Sequence, residues 1–320
     1  MMLRAGRIAL ALGLALGTAG LGAAQEPGKR PQFRVGVDTV SVSVTLLDKK
    51  GRLVTGLPQD NFKIFEDGVE QEIQYFSRGE LPLKMVILLD ISTSMRQNLP
   101  LAQEAAVGFV ESLAPGDEVQ VVEFGDRVLT LADFTSDFEE VKKAIRSTEV
   151  EGATALYNAI YISLKDLEAY SRDELDRRAI VVLSDGNDTR SVLGFEDVKD
   201  QARKSNVIIY AISLRASEAD LKKEKYRNAK FELDMLAHES GGVSYAPQKL
   251  GDLSDVYDEI ATELKSQYGL GYVPTNAEHD GKWRHLQILT AAEDTHVRAR
   301  EGYYAPRKAR HRRRRSKEPH

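Results

Sequence analysis

Runs of large apolar residues alternate with amphipathic stretches through the middle of the chain. Met85-Val86-Ile87-Leu88-Leu89 has no polar position, the pattern of a strand buried on both faces. Ala179 to Leu183 and Val207 to Ile212 repeat that pattern. Val119 to Phe124 predicts a further strand, with Val128 to Leu131 as a short antiparallel edge, and Val243 to Ala246 a short one. Between them, Leu101 to Leu113 is apolar at Ala102, Ala106, Phe109, Val110 and Leu113. Leu156, Ile160, Leu164 and Leu167 recur at spacings of four, four and three. These spacings predict helices, as they do over Asp137 to Ser147, Phe195 to Ser205 and Asp252 to Lys265. A helix over Phe231 to Ser240 stops at Gly241-Gly242. Strands alternating with helices predict an α/β fold, a doubly wound, mostly parallel sheet covered on both faces. Lys222 to Arg227 is a charged insertion, expected to be a solvated loop or helix face.

The flanks have a different period. Val35, Val37, Val40, Val42, Val44 and Leu46 nearly alternate with polar residues, the mark of a half-buried strand. Phe62 and Ile64 lead into Asp67-Gly68, a hairpin signal, and Ile73, Tyr75 and Phe76 continue the pattern. After the last helix, Tyr268 to Val273, Trp283 to Leu289 and Val297 to Tyr304 are strand-like. Neither flank has enough strands for a stable sandwich of its own. The chain enters the Met85 strand at the bottom of the sheet, and the last helix, antiparallel to the strands, leaves at the bottom too. The flanks are therefore expected to pair into one small β-sandwich-like domain. The expected divisions are a leader over 1–24, an N-terminal β flank over 25–80, the α/β domain over 83–265, a C-terminal β flank over 266–306 and a basic tail over 307–320.

Composition changes the picture at the two ends. Arg4 and Arg7 precede an apolar stretch from Ile8 to about Leu21 and then Gly22-Ala23-Ala24. This is the signature of a secretory signal peptide, with cleavage expected after Ala24, and it predicts a secreted or periplasmic protein. No other segment approaches the roughly 20 apolar residues of a membrane span. With no cysteine in the chain, neither disulfides nor lipid attachment at a cysteine is available. The net charge is −5, but Arg307 to His320 carries +7 and the leader +2, so the body carries −14. Such a body excludes a nucleic-acid-binding domain, whose basic residues line a folded face. The tail, with Arg312 to Arg315, is expected to be a solubilising extension able to contact an anionic surface.

The candidate chemistry lies where the strands end. Asp90 closes the first buried strand and is followed by Ser92 and Ser94. Ligands of open α/β sheets bind beyond the carboxyl ends of the strands. Thr154, in Gly152-Ala153-Thr154, precedes the Leu156 helix, where its commonplace role is capping. Asp185 follows the second buried strand, in Ser184-Asp185-Gly186-Asn187-Asp188. Three segments thus bring only oxygen donors to one edge, which suits a hard cation such as Mg2+ or Mn2+ better than zinc.

The set Asp-x-Ser-x-Ser, Gly-x-Thr and a strand ending in Asp-Gly resembles the von Willebrand factor type A domain with its metal-ion-dependent adhesion site, over about Leu83 to Lys265. The resemblance implies a Rossmann-like sheet. It also implies hydroxyl ligands at Ser92, Ser94 and Thr154, with Asp90 and Asp185 binding directly or through water. Integrin-type versions place acids just after the motif. Here Arg96, Gln97 and Asn98 stand there, so one cation is implied rather than two. Phe65-Glu66-Asp67-Gly68-Val69, Leu270-Gly271-Tyr272-Val273-Pro274-Thr275 and Val297 to Tyr304 further resemble a family of exported bacterial proteins, abundant in acidobacteria, with a related domain.

A hydroxyl-rich shell leaves a cation under-neutralised and open to a carboxylate from another molecule. The expected function is non-enzymatic: binding of a protein partner that presents an exposed Asp or Glu, in adhesion or cell-surface assembly. The alternatives are a metal-dependent hydrolase or phosphatase using Asp90 or Ser92 as nucleophile, and an envelope assembly factor with a vestigial metal site. Against the hydrolase, the position two after Asp90 is Ser92 rather than a second Asp, and no Gly-x-Ser-x-Gly elbow occurs.

Overall fold

The computed structural model describes residues 39–79, 81–171, 173, 175–184, 188–214, 224–247 and 249–307. The leader with Ala24, Val35, Val37, Asp185, Lys222, Lys223 and the tail beyond Arg307 lie outside the described residues.

Fourteen strands among the described residues form three sheets. The central one contains β5 (Leu83–Asp90), β6 (Glu118–Phe124), β7 (Val128–Thr135), β8 (Arg177–Ser184), β9 (Ile208–Ser213) and β10 (Ser244–Tyr245). Their order is β10-β9-β8-β5-β6-β7, parallel except for β7. β5 lies between β6 and β8, in register Leu89 to Leu183 with β8. The chain therefore steps from β5 to one side and returns to build the other, which puts the end of β5 at a topological switch point.

Alternate residues of β5 serve opposite cores. Met85, Ile87 and Leu89 pack under α1 (Leu99–Glu111), α2 (Phe138–Arg146) and α6 (Leu253–Ser266). Val86 and Leu88 pack under α3 (Leu156–Tyr170), α4 (Phe195–Lys204) and α5 (Glu224–Glu239). Each such side chain contributes about 1.5–3 kcal/mol on burial. Asp137 caps α2, its carboxylate accepting from the Glu139 and Glu140 amides. One boundary needs correcting: α5 begins at Glu224, not Phe231, so the end of the charged insertion is the helical alternative rather than a loop. The hydrophilic stretch from Glu224 to Lys230 extends the helix by about two turns, with Ala229 buried within it.

The flanks build the other two sheets together. The first has order β13-β1-β11-β4, from β13 (Thr295–Arg298), β1 (Val40–Asp48), β11 (Tyr268–Tyr272) and β4 (Tyr75–Arg78). The second has order β14-β12-β2-β3, from β14 (Gly302–Tyr304), β12 (Trp283–Thr290), β2 (Phe62–Glu66) and β3 (Val69–Gln71). Asp67 and Gly68 both have positive φ, 48° and 83°, the two-residue turn that matches strand twist. Two continuous runs are divided between sheets: β4 leaves the hairpin for the first sheet, and Val297 to Tyr304 splits into β13 and β14. Arg300 lies in the segment between them, donating to the Ser41 carbonyl.

The polar face of β1 is covered as well. Ser41 and Thr45 are buried against the α/β domain. Asn206 donates to the Ser41 hydroxyl at 2.6 Å, and Thr45 donates to Glu263 of α6 at 3.3 Å. Glu263 also accepts from Tyr210 at 2.7 Å and pairs with Arg298. At the bottom of β8, buried Arg177 donates to the carbonyls of Gly79 and Leu264, at 3.2 and 2.7 Å. Gly79 leads into β5 and Leu264 lies at the end of α6, so one guanidinium ties together both points where the flanks leave the sheet.

Candidate metal centre

Asp90 is the last residue of β5, and its side chain is fully buried. Its Oδ1 accepts from the Ser92 amide at 2.9 Å and its Oδ2 from the Ser184 hydroxyl at 2.5 Å. Ser184 ends β8, so adjacent strands fix the carboxylate from two sides. The chain then turns through a 3-10 segment at Thr93–Gln97, anchored by Ile91 and by the fully buried Met95. The Ile91 amide bonds the Phe124 carbonyl at 3.0 Å and its carbonyl accepts from Glu151 at 2.7 Å. These apolar anchors leave Ser92 at the floor and Ser94 exposed at the surface. Their hydroxyls share a hydrogen bond at 2.9 Å.

A second loop is tied to the first. The Thr93 amide and hydroxyl both donate to the Gly152 carbonyl, at 3.0 and 2.9 Å. Gly152 has φ +74°, and a Cβ there would lie 2.4 Å from Asp126 Oδ2, so the position requires glycine. Asp126 in turn accepts from the Ala153 amide at 3.1 Å. Thr154 follows, buried, its amide donating to Thr189 Oγ1 at 3.1 Å. Capping is not its role. The N-cap is Ala155, and the amides of the first turn of α3 are met by Asp188 at Tyr157 and by Ser191 at Asn158.

The structure therefore brings Asp90, Ser92, Ser94 and Thr154 to one crest of the sheet, while Asp185 lies outside the described residues. Thr93, Asp126, Ser184, Asp188 and Thr189 complete the framework. They were not singled out because their partners lie 27 to 94 residues away. The β6 side of the crest is acidic: burial, then Glu151 and Glu149 nearby, raises the Glu123 carboxyl above its ordinary range. Tyr157 donates to Glu232, and burial raises its hydroxyl well above the usual tyrosine range.

The donor set fits a hard octahedral cation. Ligands at about 2.1 Å on adjacent corners of an octahedron are about 3.0 Å apart, close to the 2.9 Å between the Ser92 and Ser94 hydroxyls. Among the described residues no three His, Cys, Asp or Glu gather as a metal-binding group. His238 lies in the last turn of α5, and His285 and His296 on sandwich strands.

Residues 85–187 match the family model of the von Willebrand factor type A domain, a span containing Asp90, Ser92, Ser94, Thr154 and Asp185. The chain carries a von Willebrand factor type A domain. A UPF0353 protein of Mycolicibacterium paratuberculosis is 25% identical over 226 residues, covering 65% of this chain and 67% of that protein. A UPF0353 protein of Mycobacterium tuberculosis is 23% identical over 228 residues, covering 65% and 66%. These alignments thus span about two thirds of the relatives' length. A von Willebrand factor type A structure from Catenulispora acidiphila superposes with TM-score 0.50 at 12% identity, over 87% of this chain and 76% of that one. That share exceeds the α/β domain alone, so the fold likeness extends into the sandwich.

Proposed function

We propose that the domain is a non-enzymatic protein-binding module whose crest holds one Mg2+ or Mn2+ and completes its shell with a carboxylate from a partner. The observation that carries this reading is that Ser92 and Ser94 bring two hydroxyls within 2.9 Å of each other, near enough to share one ion, above a buried, hydrogen-bonded Asp90. Ser92, Ser94 and Thr154 would supply neutral oxygens, and Asp90 and Asp185 the negative charge. The bound cation would supply one Lewis-acidic position that takes up a carboxylate. This chain's own residues orient that position and need no general base or nucleophile. An exposed Asp or Glu on a partner protein is the chemistry it selects.

The leader supports export, to the periplasm or beyond, and adhesion or cell-surface assembly is the setting that fits. Among the described residues no helix is long and apolar enough to cross a membrane. Calorimetric titration of Mg2+ and Mn2+ into the mature chain is the test. One site is expected in the wild type, weakened at least tenfold in Ser92→Ala and in Asp90→Asn. Equal heats in all three proteins would remove the crest from consideration.

A further inference from the structure

On the β8 side of the crest, residues 188–194 form a loop bound to the start of α3. The Thr154 carbonyl accepts from the Thr189 and Arg190 amides at 2.9 and 3.0 Å, and the Thr154 amide donates to Thr189. Asp188 accepts from the Tyr157 amide at 3.4 Å and from the Ser191 hydroxyl at 2.7 Å. Ser191 accepts from the Asn158 amide at 3.0 Å, and the Leu193 amide donates to the Asn158 side chain at 3.3 Å. The loop is thus fixed to the backbone of Thr154, a candidate ligand, and to the next turn of chain, a span of about 6 Å for four residues.

This fixed loop presents Val192, 92% exposed, at its tip. A lone exposed valine ordinarily carries no message. Val192 differs because its neighbours are hydrogen-bonded to Thr154, Tyr157 and Asn158, so the loop that carries it is tied to the segment of a candidate ligand. Arg190 is also exposed and forms no ion pair among the described residues. Arg96, just after Ser94, is alike in both respects. Across from the acidic β6 side, with its Glu123, Glu149 and Glu151, these two exposed guanidiniums are available to pair with an acid of a partner. Rigid, preorganised anchors lose little freedom on binding, which is where interface energy concentrates.

We propose that the loop 188–194 selects the partner: it takes a protein segment whose metal-seeking carboxylate is neighboured by an apolar side chain, packed on Val192, and by a second acid, paired with Arg190. This rests on the cation-site reading above and adds the sequence context of the carboxylate.

A library of random cyclic heptapeptides displayed on phage, selected on the immobilised mature chain in Mg2+, tests it. Parallel selections use Ser92→Ala and the double variant Val192→Ser, Arg190→Glu. Both side chains of the double variant are exposed, and its melting temperature should match the wild type. Clones eluted by EDTA should carry an Asp or Glu beside an apolar residue and a second acid, and should bind the double variant at least tenfold more weakly. Clones that need Mg2+ and Ser92 but bind the double variant unchanged would overturn the role of the loop and leave the cation reading standing. Clones that bind equally in EDTA and to Ser92→Ala, or no enrichment over a blank surface, would overturn both.

Discussion

Asp90 and Glu66 are both carboxylates sealed from solvent, and the chain treats them in opposite ways. Glu66, in the sandwich, accepts from the Tyr272 and Tyr303 hydroxyls at 2.7 and 2.8 Å on one oxygen, with Arg284 Nε 3.9 Å from the other. Its partners are large side chains reaching in from other strands, and they close the site. Asp90 is held by a backbone amide and a serine, and the side chains beyond it are short hydroxyls that end at an exposed Ser94. Burial of an acid is thus no guide to its use. Among the described residues, what separates the two is the size and reach of the donors: tyrosine hydroxyls from other strands at Glu66, a backbone amide and a serine at Asp90. Notably, Glu66, Tyr272 and Tyr303 come one each from the three flank motifs, so those motifs encode a single buried cluster.

The largest effect expected from this contrast is in the sandwich. Glu66→Ala leaves two buried hydroxyls without their acceptor, each costing about 1–3 kcal/mol. Urea unfolding should therefore show a loss of about 3 kcal/mol, while Mg2+ affinity at the crest stays at the wild-type value. Glu66→Gln keeps an acceptor oxygen of the same reach and should lose less. A fall in Mg2+ affinity in Glu66→Ala would break the separation between the two sites.

Alkaline pH probes the same cluster. Burial, then the hydrogen bond to Glu66, raises the Tyr272 and Tyr303 hydroxyls above the ordinary tyrosine range. The folded chain keeps protons there that the unfolded chain gives up above about pH 10. Stability is therefore full below that pH and declines as pH rises past it, by up to about 1.4 kcal/mol per unit for each tyrosine. Urea midpoints at pH 8.5 and 11 should show the decline, and Tyr303→Phe should make it shallower. An identical pH dependence in that variant would show that other buried tyrosines, such as Tyr210, account for it.

The smallest change in stability is expected at the crest. Ser94 is exposed, so Ser94→Ala should alter the unfolding free energy by less than about 0.5 kcal/mol. Its Mg2+ affinity should nevertheless fall, read by the same titration. A substantial loss of stability in Ser94→Ala would place the hydroxyl pair among the groups that hold the fold.

Much of this was legible along the chain. The unbroken apolar runs at Met85 and Ala179 identified strands covered on both faces, and β5 and β8 are buried throughout but for Lys84. A residue at the end of such a strand must face the crest, so Asp90, Ser92 and Ser94 could be placed from their spacing alone. Asp67-Gly68 specified its hairpin because only certain residues tolerate positive φ at both central positions.

Periodicity records that a face is covered, not what covers it. Alternation said nothing of what meets the polar side of β1, where Ser41 and Thr45 reach Asn206 and Glu263 across the domain boundary. It joined Val297 to Tyr304 into one strand, because both halves have the strand period and only the packing of two sheets separates them. Thr154 looked like a helix cap by position, but caps are chosen in three dimensions, and Asp188 and Ser191 reach those amides from 31 and 33 residues away. The sequence by itself determined the elements and the oxygen donors at their ends, since these depend on local propensity and on the geometry of a single strand or helix. The tertiary structure alone decided which distant hydroxyls and carbonyls hold those donors in place, because hydrogen bonds between remote segments leave no periodic trace in the chain.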